Sequence, residues 1–406
     1  MSGAARRGRL DRTILAAVFA LVVVANLALR DFRWRYEWTW AFFNLGFVTV
    51  LLCPLAAAVG ATSGAGFRDC SRTLAVSSGR IRAAVLADIW SIVALLWAAY
   101  ALGLAITVAI VAASTGGTPS ANTLLTLPGP LLQLAAAAAV GWLVGYGIAR
   151  WWSGAVMAAS WFIVTLGLYI NGPEGLVRTG GASASLVGLK ITPTYFSRQT
   201  LFLLVVLCVA LGLAVHSSDR ANLRPSLAIV AAAVVLGTGL VASAGRPQPF
   251  AESKVSLVCD TETPRICVAA EYQALLPQAR RSFDKALKWW ADLGGPQPIE
   301  AVQRVWPKDD GRITVSTNYL DPEDFGGKLV HLLFDEEQCD FHEIGSASYR
   351  AWMELNDVAR LQLTEDPERL ANMRLSYPIG RLSNEEIRLV ALRHIETVRS
   401  DCNKPG

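Results

Sequence analysis

Apolar residues run in long, nearly unbroken stretches through the first 245 positions, then give way to short alternating and helically spaced patterns. Crossing roughly 30 Å of hydrocarbon as a helix takes about 20 apolar residues, because in lipid only intrahelical bonds can satisfy the backbone. Residues 13–29, 39–60, 83–113, 127–149, 151–170, 199–216 and 225–245 meet or approach that length. The first is read as a retained span rather than a signal peptide, since six more follow and no small-residue cleavage site closes it. Residues 171–198 form a Gly-rich connection, too long for a tight turn and too broken to span. Such a segment can dip into the outer leaflet where protein covers its backbone.

From residue 246 the pattern changes. KVSLVCDTETPRICVAAEY sets two β-branched runs around a turn-forming DTETP, which predicts a hairpin with Cys259 and Cys267 facing each other near its mouth. A helix over 274–293 follows, with Leu276, Phe283, Leu287 and Trp290 at helical spacing and a stop at Gly294, Gly295 and Pro296. A short strand near 312–316 and helices at 347–362 and 384–400 complete the tail, the last opened by a capping box of Ser383 and Glu386. The fold class is therefore a polytopic α-helical membrane protein, about seven transmembrane helices over 1–245, with a small α+β extracytoplasmic domain over 246–406. That domain is long enough for a modest core that disulfides would reinforce.

Composition and charge refine this. The chain is 53% apolar, above the roughly 45–50% of soluble proteins. Of its 37 Lys and Arg, 17 precede residue 246 with only seven acids, so that part carries +10 and the tail −6. No basic patch on one face is present, which excludes a nucleic-acid reading. Lys and Arg favour cytoplasmic loops. With the N-terminus inside, Arg6, Arg7, Arg9, Arg12, Arg68, Arg72, Arg80, Arg82, Arg150, Arg220 and Arg224 are cytoplasmic. Only Arg30, Arg33, Arg35, Arg178, Lys190 and Arg198 lie opposite, and an odd number of spans puts the tail outside. The tail's even set of cysteines, Cys259, Cys267, Cys339 and Cys402, suits an oxidising compartment. Four cysteines allow three connectivities. Proximity favours Cys259 with Cys267, leaving Cys339 with Cys402.

Several residues in the spans carry their own expectations. Trp34, Tyr36, Trp38 and Trp40 at the outer edge, and Trp151 and Trp152 at the inner edge, fit interfacial aromatic belts or lipid-facing filler. Asp88, an acid inside a span and about 8 Å from its start, is expected near the inner interface, facing Arg80 or Arg82. Gly141 and Gly145 in GWLVG have the small-xxx-small spacing of close helix packing, within the bundle or at a dimer seam.

The phosphate-cradling GxxxxGK[ST] loop does not occur, so any ATP hydrolysis must come from another chain. Intramembrane carboxylates and histidines of a proton relay are sparse. His342 and Glu343 are followed by Ile344, Gly345 and Ser346 rather than completing HExxH, and no GxSxG elbow accompanies His331 or His394. No catalytic residue, metal ligand or cofactor is assigned to this chain. The basic loop 61–82, with GFRDCSRTLAVSSGRIR at its centre, puts Arg68 and Arg72 at i and i+4, so a turn or two of helix can lie along the inner membrane face. Either it obeys the charge rule alone, or Arg68, Asp69, Arg72, Arg80 and Arg82 form a docking loop for a soluble motor.

This layout resembles the membrane permease subunit of a bacterial type-2 ABC exporter, as found in actinobacteria. That family has six core spans, a coupling helix between the second and third, matched by 61–82, and a re-entrant connection between the fifth and sixth, matched by 171–198. Some members look similar over the tail, VCDTETPRICVAAEYQALLPQARRSFDKALKWWADLGGPQP here. The resemblance implies a multi-pass protein of the bacterial plasma membrane, in contact with lipid. It would work as a homodimer or with a sister permease, docked on cytoplasmic ATPase subunits that carry ATP and Mg. Closure of those subunits would pass through the loop near Arg68 and Arg72. The seventh span and external domain depart from the six-span core. The rival reading is a membrane-anchored sensor, ligand-binding or immunity protein, and a membrane-bound hydrolase is disfavoured by the lack of a nucleophile or metal cluster.

Overall fold

A computed structural model describes residues 2–30, 32–73, 78–115, 117–171, 179–181, 185–219, 248–295, 298, 300–303, 314–317, 322–331, 347–364 and 382–402. The chain divides into two compact units, Met1–Ser183 with Leu189–Glu252, and Ala184–Gly188 with Ser253–Gly406.

The first unit is helical: α1 Ser2–Ala28, α2 Trp38–Gly46, α3 Thr49–Thr73, α4 Ser78–Thr115, a single turn α5 Ala121–Leu124, α6 Pro128–Ile148, α7 Ser153–Asn171 and α8 Pro193–Asp219. Among the described residues, four helical stretches are long and apolar enough to cross a membrane, Trp38–Cys70, Arg80–Thr115, Ala121–Ile148 and Pro193–Ser217. Thr13–Ala28 and Ser153–Gly167 are shorter apolar helices, and the expected span 225–245 lies outside the described residues. The unit is built around α6, whose run Leu134–Ala139 is buried without interruption, so apolar residues on every side of this helix meet protein.

Three expectations are corrected here. The second span is broken between Gly46 and Thr49. Most of 61–82 is helix rather than loop, since α3 continues to Thr73 and α4 begins at Ser78. No proline interrupts that sequence, and continued helix keeps the backbone bonded beyond the apolar segment. Trp34, Trp38 and Trp40 are buried inside the bundle rather than forming a belt, with Trp38 edge-on to Phe42 at 5.9 Å. Trp151, by contrast, is 90% exposed.

The second unit is α/β. Strands β3 Leu257–Cys259, β4 Arg265–Ala269, β5 Glu300–Gln303 and β6 Thr314–Thr317 lie in that spatial order. β3 and β4 form the expected antiparallel hairpin, with Cys259 directly opposite Cys267 and joined to it by a disulfide. β4, β5 and β6 are parallel, so α9 Leu276–Asp292 is the crossover that parallel strands require. It buries Ala279, Phe283, Ala286 and Trp290, while Leu276 and Leu287 are only half-covered. Gly294 at φ +68° ends the helix in the left-handed cap, and Gly295 lies flat on the Trp290 indole where a Cβ would not fit. Arg280 binds the hairpin to α9, donating to Asp260 at 3.1 Å and to the Pro264 carbonyl at 2.7 Å, with Asp284 also at 3.1 Å.

Among the described residues three helices follow: α10 Pro322–His331, α11 Ala347–Leu363 and α12 Asn384–Cys402. Phe283 and Phe325 meet at 5.3 Å to join α9 and α10. The capping box forms, with the Ser383 N–H and hydroxyl each 2.7 Å from the Glu386 carboxylate and the Glu386 N–H donating back at 3.3 Å. Cys402 ends α12, while Cys339 lies outside the described residues.

Candidate functional site at the two ends of the helical unit

The close packing of α3 on α6 sets the geometry. These parallel helices meet through four glycines: Gly60 and Gly64 of α3 lie against backbone of Ala138 and Trp142, and Gly141 and Gly145 of α6 lie against Ala57 and Ala61. A Cβ at any of the four would overlap a carbonyl oxygen of the other helix. The Gly141–Gly145 spacing thus serves contact inside the bundle, and its partner in GATSG carries the same small-xxx-small signal.

At the arginine-bearing end this packing gathers polar side chains. Arg68 of α3 donates from Nη1 to the carbonyls of Tyr146 and Gly147 at 2.9 and 2.6 Å. Those are last-turn carbonyls of α6, which have no helical donor of their own. α6 then stops at Ala149, a non-glycine residue at φ +50° whose N–H donates to the Gly145 carbonyl. About 9 Å above this end, one and two-thirds turns at 1.5 Å per residue, Asp88 of α4 joins three helices. Its Oδ2 accepts from the Ser63 hydroxyl of α3 at 2.6 Å and the Trp142 indole N–H of α6 at 2.9 Å. Trp142 stacks on Tyr146, 5.3 Å between centroids, and meets Phe67 edge-on at 5.5 Å. Asp88 is therefore not paired with Arg80 or Arg82, because the packing of α4 on α3 and α6 turns it inward.

The other residues of the expected docking loop lie toward the end of α3 and at the start of α4. Asp69 is exposed on α3, and Arg80 and Arg82 are exposed on the first turns of α4. Arg72 sits in the last turn of α3, its side chain outside the described residues.

At the opposite end the chain between α7 and α8 enters the bundle. Thr179 and Gly180 are buried in the break between α2 and α3: the Gly181 N–H donates to the Phe43 carbonyl at 3.2 Å. The Thr179 hydroxyl lies 2.8 Å from that of Thr49 and 2.9 Å from Oε1 of Gln133. Gln133 is five residues into α6, about 8 Å from its start. An irregular backbone at that depth is tolerated because protein supplies its bonds. Arg30 donates to Asn44 and lies 3.9 Å over the Phe47 ring beside this break.

β1 Leu189–Ile191 then pairs antiparallel with β2 Phe250–Glu252, and the Thr192 N–H donates to the Pro249 carbonyl. The chain that leaves α8 at Asp219 is thus back at the start of that helix by Phe250, a return of about 40 Å for 27 residues.

Thr49, Ser63, Gln133 and Thr179 carried no motif. Polar residues at isolated positions of apolar helices were their signal, and spacing alone did not assign partners. Among the described residues no group of three or more His, Cys, Asp or Glu is placed to hold a metal, and His342 and Glu343 lie outside them.

Long apolar helices packed through glycines, with Thr179 and Gly180 buried in a helix break and a β-containing C-terminal unit, define a mostly helical, multi-pass protein of membrane type. Compared with protein-family models, curated proteins and solved structures, the chain matches none.

Proposed function

We propose that the chain is the permease subunit of an ATP-driven exporter, forming the translocation path and coupling to a separate cytoplasmic ATPase. The observation that carries this reading is the pairing of features at the two ends of one bundle. At one end two long helices extend past the apolar zone and carry arginines, Arg68 on α3 and Arg80 and Arg82 on α4. At the other, Thr179–Gly181 fills a broken helix. In an exporter the first would receive force and the second would line the exit.

In this reading the N-terminus and the arginine-rich end are cytoplasmic, and the disulfide-bearing unit lies outside, where a disulfide persists. The bacterial plasma membrane is the location, and the protein works as a homodimer or beside a sister permease. The chain itself is not an enzyme; ATP and Mg belong to the partner.

The test is a gentle detergent pull-down of the tagged full chain from native membranes, with mass spectrometry and an ATPase assay. A stoichiometric Walker-loop ATPase, lost when Arg80 and Arg82 are both changed to Glu, supports the permease. Its absence from a folded preparation would overturn it and favour the rival ligand-binding or sensor reading, for which the separate parallel-stranded α/β unit speaks.

A further inference from the structure

We infer that Arg150, Trp151 and Trp152, the turn between α6 and α7, form a headgroup site for an anionic phospholipid. The site needs only a membrane around the helical unit, so it does not depend on the permease reading.

α6 sets the depth. Its 21 residues measure about 31 Å, the thickness of a hydrocarbon core, so the chain that leaves it at Ile148 is leaving hydrocarbon. The turn then folds back at once. Ala149, at φ +50°, closes its N–H on the Gly145 carbonyl, and by Ser153 the chain again touches α3, the Ser153 hydroxyl donating to the Ala61 carbonyl at 3.4 Å. α3 itself runs on from Ala61 to Thr73, about 18 Å further. Arg150–Trp152 is therefore recessed behind the projecting end of α3, at the depth of the headgroups, and a soluble partner approaching this end meets α3 first.

The side chains select the occupant. Trp151 is 90% exposed and Trp152 41%, whereas Trp34, Trp38, Trp40 and Trp142 are buried. An indole left in water forfeits a large apolar surface; at a membrane surface its ring meets acyl chain and its N–H meets headgroup. Arg150 is exposed, and among the described residues no ion pair holds it: Arg68 is turned to the α6 carbonyls, and Asp69, the exposed acid one residue on, is not bonded to Arg150. A free guanidinium forks onto the oxygens of a phosphate. A zwitterionic headgroup would bring its own cation up to Arg150, and an anionic one does not, so charge complementarity favours the anionic lipid.

The probes are phosphatidylglycerol and phosphatidylcholine of equal acyl chains, titrated into the detergent-purified full chain and counted by native mass spectrometry. Tighter retention of phosphatidylglycerol is expected, its preference reduced about fivefold in Arg150→Gln, weakened in Trp151→Ala and largely kept in Arg150→Lys, as one basic residue at an anionic surface predicts. Lipid held elsewhere on the bundle is common to all four proteins and cancels in the comparison. Glycerol phosphate, which has the phosphate without the acyl chains, should not compete. In nanodiscs of phosphatidylglycerol, hydroxyl-radical footprinting should oxidise Trp151 more slowly than Trp289, a part-exposed residue of the second unit, although Trp151 is the more exposed in the bare chain. Equal retention of the two lipids by wild type, or a preference unmoved by Arg150→Gln, overturns the inference. Competition by glycerol phosphate overturns it in favour of a free phosphate, and faster oxidation of Trp151 than of Trp289 overturns it by placing the turn in water or against a soluble partner.

Discussion

Gly145 rests on the carbonyl oxygen of Ala61, with no room for a side chain between the two helices. The same holds one turn away, where Gly141 meets Ala57. Adding a side chain must push α6 off α3 or bend one of them, and overpacking of this kind costs about 1–3 kcal/mol. Gly145→Leu should therefore lower the temperature at which the detergent-solubilised protein loses its monodisperse gel-filtration peak. Gly212, in α8, has nothing near its missing Cβ. There Gly212→Ala should raise stability by about 0.5–1 kcal/mol through backbone entropy. Equal behaviour of the two variants would contradict the close approach of α3 and α6.

Arg68 separates structure from docking in the arginine-bearing segment. It holds two carbonyls at the end of α6, whereas Arg80 and Arg82 lie exposed on α4. Hydrogen bonds from a charged donor are worth about 1.5–3 kcal/mol, and partial exposure reduces that toward the lower end. Arg68→Gln should thus lower thermal stability measurably, with Arg80→Glu leaving it unchanged. Were both silent in a melting assay, the capping of α6 would have no energetic weight.

What the sequence revealed follows from where each signal is local. Long apolar runs mark helices because the membrane demands them, and Ser383–Glu386 or Gly294 mark helix ends because each acts within one turn. The hairpin was legible for the same reason, Cys259 and Cys267 being eight residues apart. The partners of Asp88 were not. Ser63 and Trp142 stand 25 and 54 residues away, and only the parallel packing of α3 on α6 decides that they share its level. Thr179 and Thr49 are 130 residues apart and meet because the α7–α8 connection enters a helix break that no proline or glycine pair announced. β5, EAVQ, was missed because four residues with a single β-branched side chain become a strand only between two parallel neighbours.

Two carboxylates of the second unit should pull the acid response in opposite directions. Glu386 is held below its ordinary pKa by the Ser383 backbone N–H, with help from the Ser383 hydroxyl. It binds fewer protons folded than unfolded, so its contribution is present above the ordinary value of 4.5 and is lost as pH falls through the lowered one. Asp357 is raised, first by burial and then by Glu354, with Arg360 opposing. Its penalty applies at neutral pH and is relieved on acidification. Asp357→Asn should stabilise the unit at pH 7 but give little gain at pH 3.5, and Glu386→Gln should destabilise it at pH 7 with the difference shrinking in acid. Limited proteolysis of the full chain across that range, read on fragments from the tail, checks both signs.

The Cys259–Cys267 disulfide closes a short loop at the edge of a four-stranded sheet, and that fixes how much it can contribute. With a sequence separation of eight, the loop-closure model gives about 2.5 kcal/mol from restriction of the unfolded chain. Asp260 and Arg280 hold the same hairpin independently, the Asp260 carboxylate accepting from the Ile266 N–H at 2.9 Å and from Arg280 at 3.1 Å. Loss of the bond should therefore weaken the unit without unfolding it. Cys259→Ser with Cys267→Ser should leave the full chain monodisperse while speeding tryptic cleavage within 253–406, and adding Arg280→Ala should produce a loss larger than either change alone. An unchanged cleavage rate in the double cysteine variant would mean that the ion-paired hairpin suffices and the disulfide adds nothing to the native state.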